Sequence, residues 1–207
     1  MAVLLRTDRM NGKARNRELD RLLNFMVEAD KLKRVDRTGW VELGIRDPES
    51  VADHSYSVAI LSYLIAKRRG LDAEKTAVMA LTHDINEVLT GDIATKPREN
   101  LQKVSNKVKH IMENKNHLKM LSYLPPTDRK RFESLWKELS KKESDESKLV
   151  KQVDALDYII QILLYSREKN RNFFRPFFIT ARQRIYDKDL LYILNKVEKQ
   201  VYAKRRR

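Results

Sequence analysis

Residues 81–97 read LTHDINEVLTGDIATKP. Asp72 is placed to cap a helix whose apolar spacing carries it to about Val88–Thr90, and Gly91 is placed to stop it. His83 and Glu87 stand at i and i+4, and Asp84 lies three residues before Glu87. One helical edge can therefore aim all three at a single point, with Asp92 folding back past the helix end. Polar and ionised side chains turned toward a core cost free energy unless something pairs with them. The rest of the chain has to supply that partner.

Helical periodicity dominates on both sides of this stretch. Leu19, Leu22, Leu23, Met26 and Ala29 make an amphipathic stripe. RTGWVELGIRDPES (37–50) breaks the pattern with two Gly and a Pro and reads as an irregular loop. Ser50 opens the next helix, with Asp53 at the capping-box position and Gly70 at its close. A charged, weakly periodic helix is predicted over about 98–121, followed by a turn at LPPTD (124–128) and a short helix. KKESDES (141–147) reads as a polar loop or helix start. LVKQVDALDYIIQILLYSRE (149–168) is the most apolar helix. FFRPFF (173–178) reads as an aromatic hinge, and a last helix over about 187–204 carries Leu190, Leu194, Val197 and Val201 on one stripe. No stretch alternates apolar and polar residues for long, so the expected fold class is all-α with almost no sheet.

The bulk properties fit one domain. The chain has 207 residues, is 42% hydrophobic and contains no apolar run of 18 residues. MAVLLRTDRMNGKARNREL puts its apolar patch ahead of its charges, the reverse of a secretory signal, which points to a cytoplasmic protein. The absence of Cys excludes disulfides, thiolate metal sites and a Cys nucleophile. The net charge of +14 comes from 43 basic and 29 acidic residues. Only AKRRR (203–207) forms a basic block, so a solvated surface or an anionic small substrate accounts for the charge as well as nucleic acid does.

The chain has four His. His110 and His117 lie in the charged stretch VKHIMENKNHLKM, which suggests a solvated surface. His54 in SVADHSYSVAILSYL and His83 in ALTHDINEV lie in apolar helices instead, as does Asp154 in VKQVDALDYIIQ. A lone His in such a setting is usually a satisfied core residue. Two such His together with Asp84 and Asp154, on separate helices, form a donor set that one divalent cation pairs at once. Two imidazoles and two carboxylates without thiolate suit Mn, Co, Fe, Ni or Mg, with positions left for water and substrate oxygens. No phosphate-binding GxxxxGK[ST] loop, HExxH or GxSxG motif competes with this set.

His54, His83-Asp84 and Asp154 resemble the H…HD…D signature of the HD-domain metal-dependent phosphohydrolases. RTGW, ESVADHSYSVA, HDINEVLTGDI and LVKQVDALDY resemble successive motifs of one subgroup, the 5′-deoxynucleotidases similar to oxetanocin-resistance-type proteins. The likeness spans about residues 19–165, with Asp53 where the family more often has Glu. It implies a single HD-domain helical bundle over 1–207, with a motif-bearing core and a C-terminal helical extension from about 170. It also implies one divalent ion, with Co, Mn or Mg expected, held by His54, His83, Asp84 and Asp154. Glu87 and Asp92 become catalytic candidates. They are also candidate ligands, with the carbonyl of Ile93, for a second cation. Arg37 becomes a phosphate clamp, with Arg34 as its rival, and Trp40 a wall beside the sugar. Asp157, three residues after Asp154, could orient a ligand, but a helix-surface acid is the commoner role and it stays outside the expected site.

The expected reaction is removal of the 5′-phosphate from deoxyribonucleoside 5′-monophosphates. A phosphodiester such as a cyclic dinucleotide, or a guanosine alarmone, is the alternative substrate for the same core. A basic helical nucleic-acid-binding protein is the alternative of another class, and the intact ligand set argues against it. A homodimer is expected, with the 187–204 stripe and FFRPFF as candidate contact surfaces; no membrane partner is.

Overall fold

The computed structural model describes residues 12–94, 104–167 and 169–203. Ten α-helices are found among them. They are α1 (Gly12–Asp30), α2 (Thr38–Glu42), α3 (Val51–Arg68), α4 (Ala73–Thr82), α5 (Glu87–Thr90), α6 (Asn106–Leu121), α7 (Pro126–Lys141), α8 (Asp145–Tyr165), α9 (Arg175–Arg184) and α10 (Lys188–Tyr202). The described residues form no strand beyond an isolated Asp36–Ser50 bridge, so the all-α expectation holds. Residues 1–11, the basic residues 204–207 and the start predicted at about 98 for the helix now found from Asn106 lie outside the described residues.

Local chemistry sets most of the helix ends. The Ser50 side chain accepts from Asp53 N–H at 3.1 Å, while Asp53 Oδ2 accepts from Ser50 N–H at 2.9 Å. This closes the capping box read from the sequence. Asp72 caps α4 through Lys75 N–H, and Ser144 opens α8 with a box of its own. Gly70 follows α3 with φ 68°, a conformation that favours glycine.

The centre of the fold is α8. It is lined on nearly every side by other elements, with α3, α4, α7, α9 and α10 packed against it. Leu149, Val150, Val153, Leu156, Ile159 and Ile162 are fully or almost fully buried there. A helix apolar all round belongs in a core, which is why its sequence lacks an amphipathic rhythm. Leu190, Leu194, Val197 and Val201 of α10 bury against this core, as do Phe174 and Phe178. The surfaces expected to meet a partner are thus largely used within the domain. The α1 stripe splits: Leu19, Leu23 and Met26 are exposed, while Leu22 and Ala29, with Phe25 beside them, are half-buried.

His117 departs from expectation. His110 is exposed as predicted, but His117 is 1% exposed and stacks on Trp136 of α7 with ring centroids 4.0 Å apart. Neither ring nitrogen has a hydrogen-bond partner, and burial pushes the imidazole pKa down to about 3. The unfolded chain, with an ordinary His pKa of about 6.5, therefore binds a proton that the fold refuses. The stability set by His117 is complete above pH 6.5 and is lost as pH falls toward 3, at roughly 1.4 kcal/mol per pH unit. His117→Phe keeps the stacked ring and removes the titration. At pH 5 the variant is expected to gain roughly 2 kcal/mol relative to its difference from wild type at pH 8. Denaturant melts of both proteins at the two pH values check this, and an unchanged difference would refute it.

Candidate metal centre

The helix expected to carry the motif breaks in the middle of it. α4 ends at Thr82, residues 83–86 form turns, and α5 starts afresh at Glu87. The Thr82 hydroxyl donates back to Val78 O at 2.8 Å, and His83 Nδ1 lies 2.6 Å from Ala80 O. Side-chain bonds to the preceding turn compete with helix continuation. The next backbone bonds are the shorter-range Ile85 N–H to Thr82 O (3.4 Å) and Glu87 N–H to Asp84 O (2.9 Å). The i, i+4 edge expected for His83 and Glu87 is therefore replaced by a turn, and the turn gathers the motif at one place.

Three elements converge there. His54 comes from the first turns of α3, His83 and Asp84 from the turn, and Asp154 from mid-α8. Ligand atoms of His54, His83 and Asp154 all lie within 4.8 Å of one another. Asp84 Oδ2 is 3.1 Å from His83 Nε2 and 3.8 Å from His54 Nε2. Asp154 Oδ1 is 3.4 Å from His54 Nε2.

The tautomers follow from the outer contacts. His83 Nδ1 faces a carbonyl, which only accepts, so Nδ1 carries the proton and Nε2 a lone pair. His54 Nδ1 lies 2.7 Å from Asp157 Oδ2, which imposes the same choice. Both Nε2 atoms are buried without a hydrogen-bond partner. Two orphaned lone pairs facing two carboxylates fit a divalent ion well. Asp157 is thus part of the site after all, buried and fixing His54. Its position one turn after Asp154 inside an apolar helix was the signal available in the sequence.

Electrostatics favour positive charge at this point. Burial opposes ionisation of Asp84, but the neighbouring His83, then Arg37 and His54, hold its pKa well down. Asp154 is likewise held low against burial, chiefly by Arg184 and His54. Burial works against a proton on His54, yet the carboxylates of Asp154 and Asp157 beside it raise its pKa to about 9. A divalent ion takes the place of such a proton when it binds.

Arg37 is 2% exposed and reaches this cluster, whereas Arg34 is exposed on the outside. Arg37 N–H donates to Glu49 O at 3.0 Å, and Val51 N–H donates to Val35 O at 2.7 Å, which ties the loop to the start of α3. The guanidinium donates to Asp84 Oδ2 at 3.3 Å and to the Tyr158 hydroxyl, and it lies 4.6 Å from the Tyr158 ring centre. Asp92 Oδ2 is 3.8 Å from Arg37 Nη1 and accepts from Thr38 N–H at 2.8 Å. Glu87 is buried, its Oε2 has no partner, and burial plus the charges of Asp84 and Asp92 raise its pKa well above the carboxylate range.

A cavity of about 650 Å³ opens over the cluster. Arg37, Asp84, Glu87, Asp92, Ile93 and Asp154 line it. Trp40 does not. It is fully buried, donates from Nε1 to Glu49 at 2.8 Å, and stacks on Phe177 at 5.2 Å. Trp40 is too well packed to be the wall; the rings that face the cavity are Tyr158, Phe173 and Phe177. Arg184 and Lys109 also reach the cavity, and nothing in their sequence context marks them. Arg184 Nη2 donates to Asp154 Oδ2 at 2.6 Å, which leaves Oδ1 toward the His pair.

Comparison with known proteins agrees with this arrangement. The HD domain family matches residues 29–192. The 5′-deoxynucleotidase HDDC2 of Danio rerio is 33% identical over 183 residues, 88% of each chain. Its namesake from Homo sapiens is 38% identical over 144 residues, 70% of this chain and 68% of that one. A solved structure, a conserved hypothetical protein from Pyrococcus furiosus, superposes with a TM-score of 0.65 at 32% identity, covering 86% of this chain and 99% of that one. With the cluster and its cavity in place, these likenesses settle the kinship: the chain belongs to the HD-domain family.

Proposed function

We propose that this protein is a metal-dependent 5′-deoxynucleotidase, releasing phosphate from deoxyribonucleoside 5′-monophosphates. The observation that carries the reading is the pair of unpartnered imidazole Nε2 atoms facing Asp84 and Asp154, beneath a cavity that holds Arg37. His54, His83, Asp84 and Asp154 hold one divalent ion, with Co, Mn or Mg as the expected metals. When bound, such an ion supplies Lewis-acid charge and an acidified water.

The chain's own residues do the rest. Arg37 takes the phosphate oxygens, and Tyr158 and Asp84 fix its fork in advance. Arg184, which also lines the cavity, offers its remaining donors while holding Asp154 in place. Glu87 orients the attacking water or, once ionised, takes its proton. Asp92 anchors the loop beside Thr38 and is the carboxyl available at the leaving O5′. The nucleoside packs on Phe177 and Phe173, and the arginines stabilise charge as it develops on the phosphoryl group. A phosphate-release screen with each metal, over deoxynucleotides, ribonucleotides, cyclic dinucleotides and guanosine alarmones, tests the reading. Turnover confined to the phosphodiesters or the alarmones would replace it.

Sugar selection moves from Trp40 to the ring stacked on it. Phe177 offers an apolar surface on which a 2′-hydroxyl finds no partner, a penalty of about 1–3 kcal/mol. That is about fivefold to more than a hundredfold in kcat/KM. Phe177→Ala is expected to reduce the dAMP-to-AMP ratio of kcat/KM with metal content unchanged. An unaltered ratio would place selection elsewhere.

A cytoplasmic location remains a proposal; no described helix is long and apolar enough to cross a membrane. So does the homodimer. With the C-terminal stripe buried, the exposed Leu19, Leu23, Met26 and Val27 of α1 offer an apolar surface for a second copy. Sedimentation as a monomer at micromolar concentration would remove it.

A further inference from the structure

The three groups that could hold a second cation are Glu87, Asp92 and the Ile93 carbonyl. Two of them are already engaged by the chain itself. Lys109 of α6 donates from Nζ to Ile93 O at 2.6 Å, with Glu113 Oε1 3.6 Å from the same ammonium. Asp92 Oδ2 takes the Thr38 N–H at 2.8 Å and lies 3.8 Å from Arg37 Nη1. Glu87 alone presents a buried oxygen without a partner. One carboxylate oxygen is a poor site for a divalent ion that prefers six oxygen ligands. An ammonium at bonding distance from the carbonyl also repels a metal there.

We propose that Lys109 is a built-in cation. Its ammonium stands where a second metal would stand, so the enzyme works with one metal per chain. Lys109, Ile93, Glu87 and Asp92 all line the cavity, and the Lys109 charge acts on Glu87. A lysine is a compact point charge with three donors on a flexible stem. It can keep one bond to Ile93 O and turn another toward a phosphate or leaving oxygen. Its reach from α6 also ties the 91–94 loop, which carries Asp92, to that helix.

The proposal rests on the deoxynucleotidase reading for its catalytic part, but the count of metal ions does not need substrate. Titration of metal-stripped protein with Mn²⁺, followed by calorimetry and elemental analysis, is expected to saturate at one ion per chain in wild type. Lys109→Met frees Ile93 O and is expected to bind a second, weaker ion. Phosphate release by Lys109→Met is expected to fall roughly 10²-fold, the scale for loss of one charge-stabilising group. It should recover in part at millimolar Mn²⁺, while Lys109→Arg keeps the single-ion stoichiometry. Two ions per wild-type chain would overturn the proposal. So would a Lys109→Met protein that binds one ion and turns over like wild type. A wild type that binds one ion but hydrolyses no nucleotide would instead overturn the functional reading and leave the stoichiometric claim supported.

Discussion

Replacing any one of His54, His83 or Asp84 by Ala, or Asp154 by Asn, is expected to abolish both stable metal binding and phosphate release. Each change removes one of four donors that meet within a few ångströms, and the remaining three do not close the set. Folding should survive at Asp84, the most exposed of the four, so Asp84→Ala is the cleanest case. The contrast is with Asp157. Asp157→Asn keeps every donor but weakens the hold on His54 Nδ1. Changes of that kind typically cost 10–100-fold in metal affinity or activity rather than everything. Elemental analysis and activity on the purified variants give both readouts. Wild-type metal content in His83→Ala and Asp84→Ala would mean the ion is bound elsewhere.

Glu87→Ala is expected to leave that metal in place and lower turnover by roughly 10²–10⁴, the range for a proton-transfer group. Glu87 is buried beside Asp84 and Asp92 with a free carboxyl oxygen, and it is not among the atoms that converge with the His pair. Its loss should therefore appear in kcat with little change in the single-ion stoichiometry. Glu87→Gln keeps the shape and part of the hydrogen bonding but cannot take the proton, so it should be as impaired as the alanine variant. Near-normal turnover of either at saturating substrate would remove Glu87 from the mechanism.

What the sequence made legible, and what it hid, divides along physical lines. The capping box of Ser50 and Asp53, the cap at Asp72 and the buried core helix around Leu156 depend on neighbours in the chain. Spacing and residue type were enough to read them. His54, His83 and Asp154 were legible because polar groups in apolar helices are costly and so stand out. The break after Thr82 was not, since the apolar spacing runs on through it and the back-bonds of Thr82 and His83 that mark it show only in the folded chain. Trp40 was placed at the wall because of where its loop falls in the chain, whereas Phe177, 137 residues later, holds that position. Arg184 and Lys109 were hidden among 43 basic residues. Only the approach of α9 to α8, and of Lys109 on α6 to the 91–94 loop, singles them out. His117 was hidden by its charged neighbours, because the face of α6 that turns inward depends on Trp136.

The central claim is that one divalent ion sits between α3, the 83–86 turn and α8. Crystals grown with Mn²⁺ or Co²⁺ and measured at the absorption edge of the metal test it directly. The expected result is a single anomalous peak about 2.0–2.3 Å from His54 Nε2, His83 Nε2, Asp84 and Asp154 Oδ1. A map without a peak there, or with its peak among Glu49, His54 and Asp157, the other such grouping of ligand atoms among the described residues, would contradict the account.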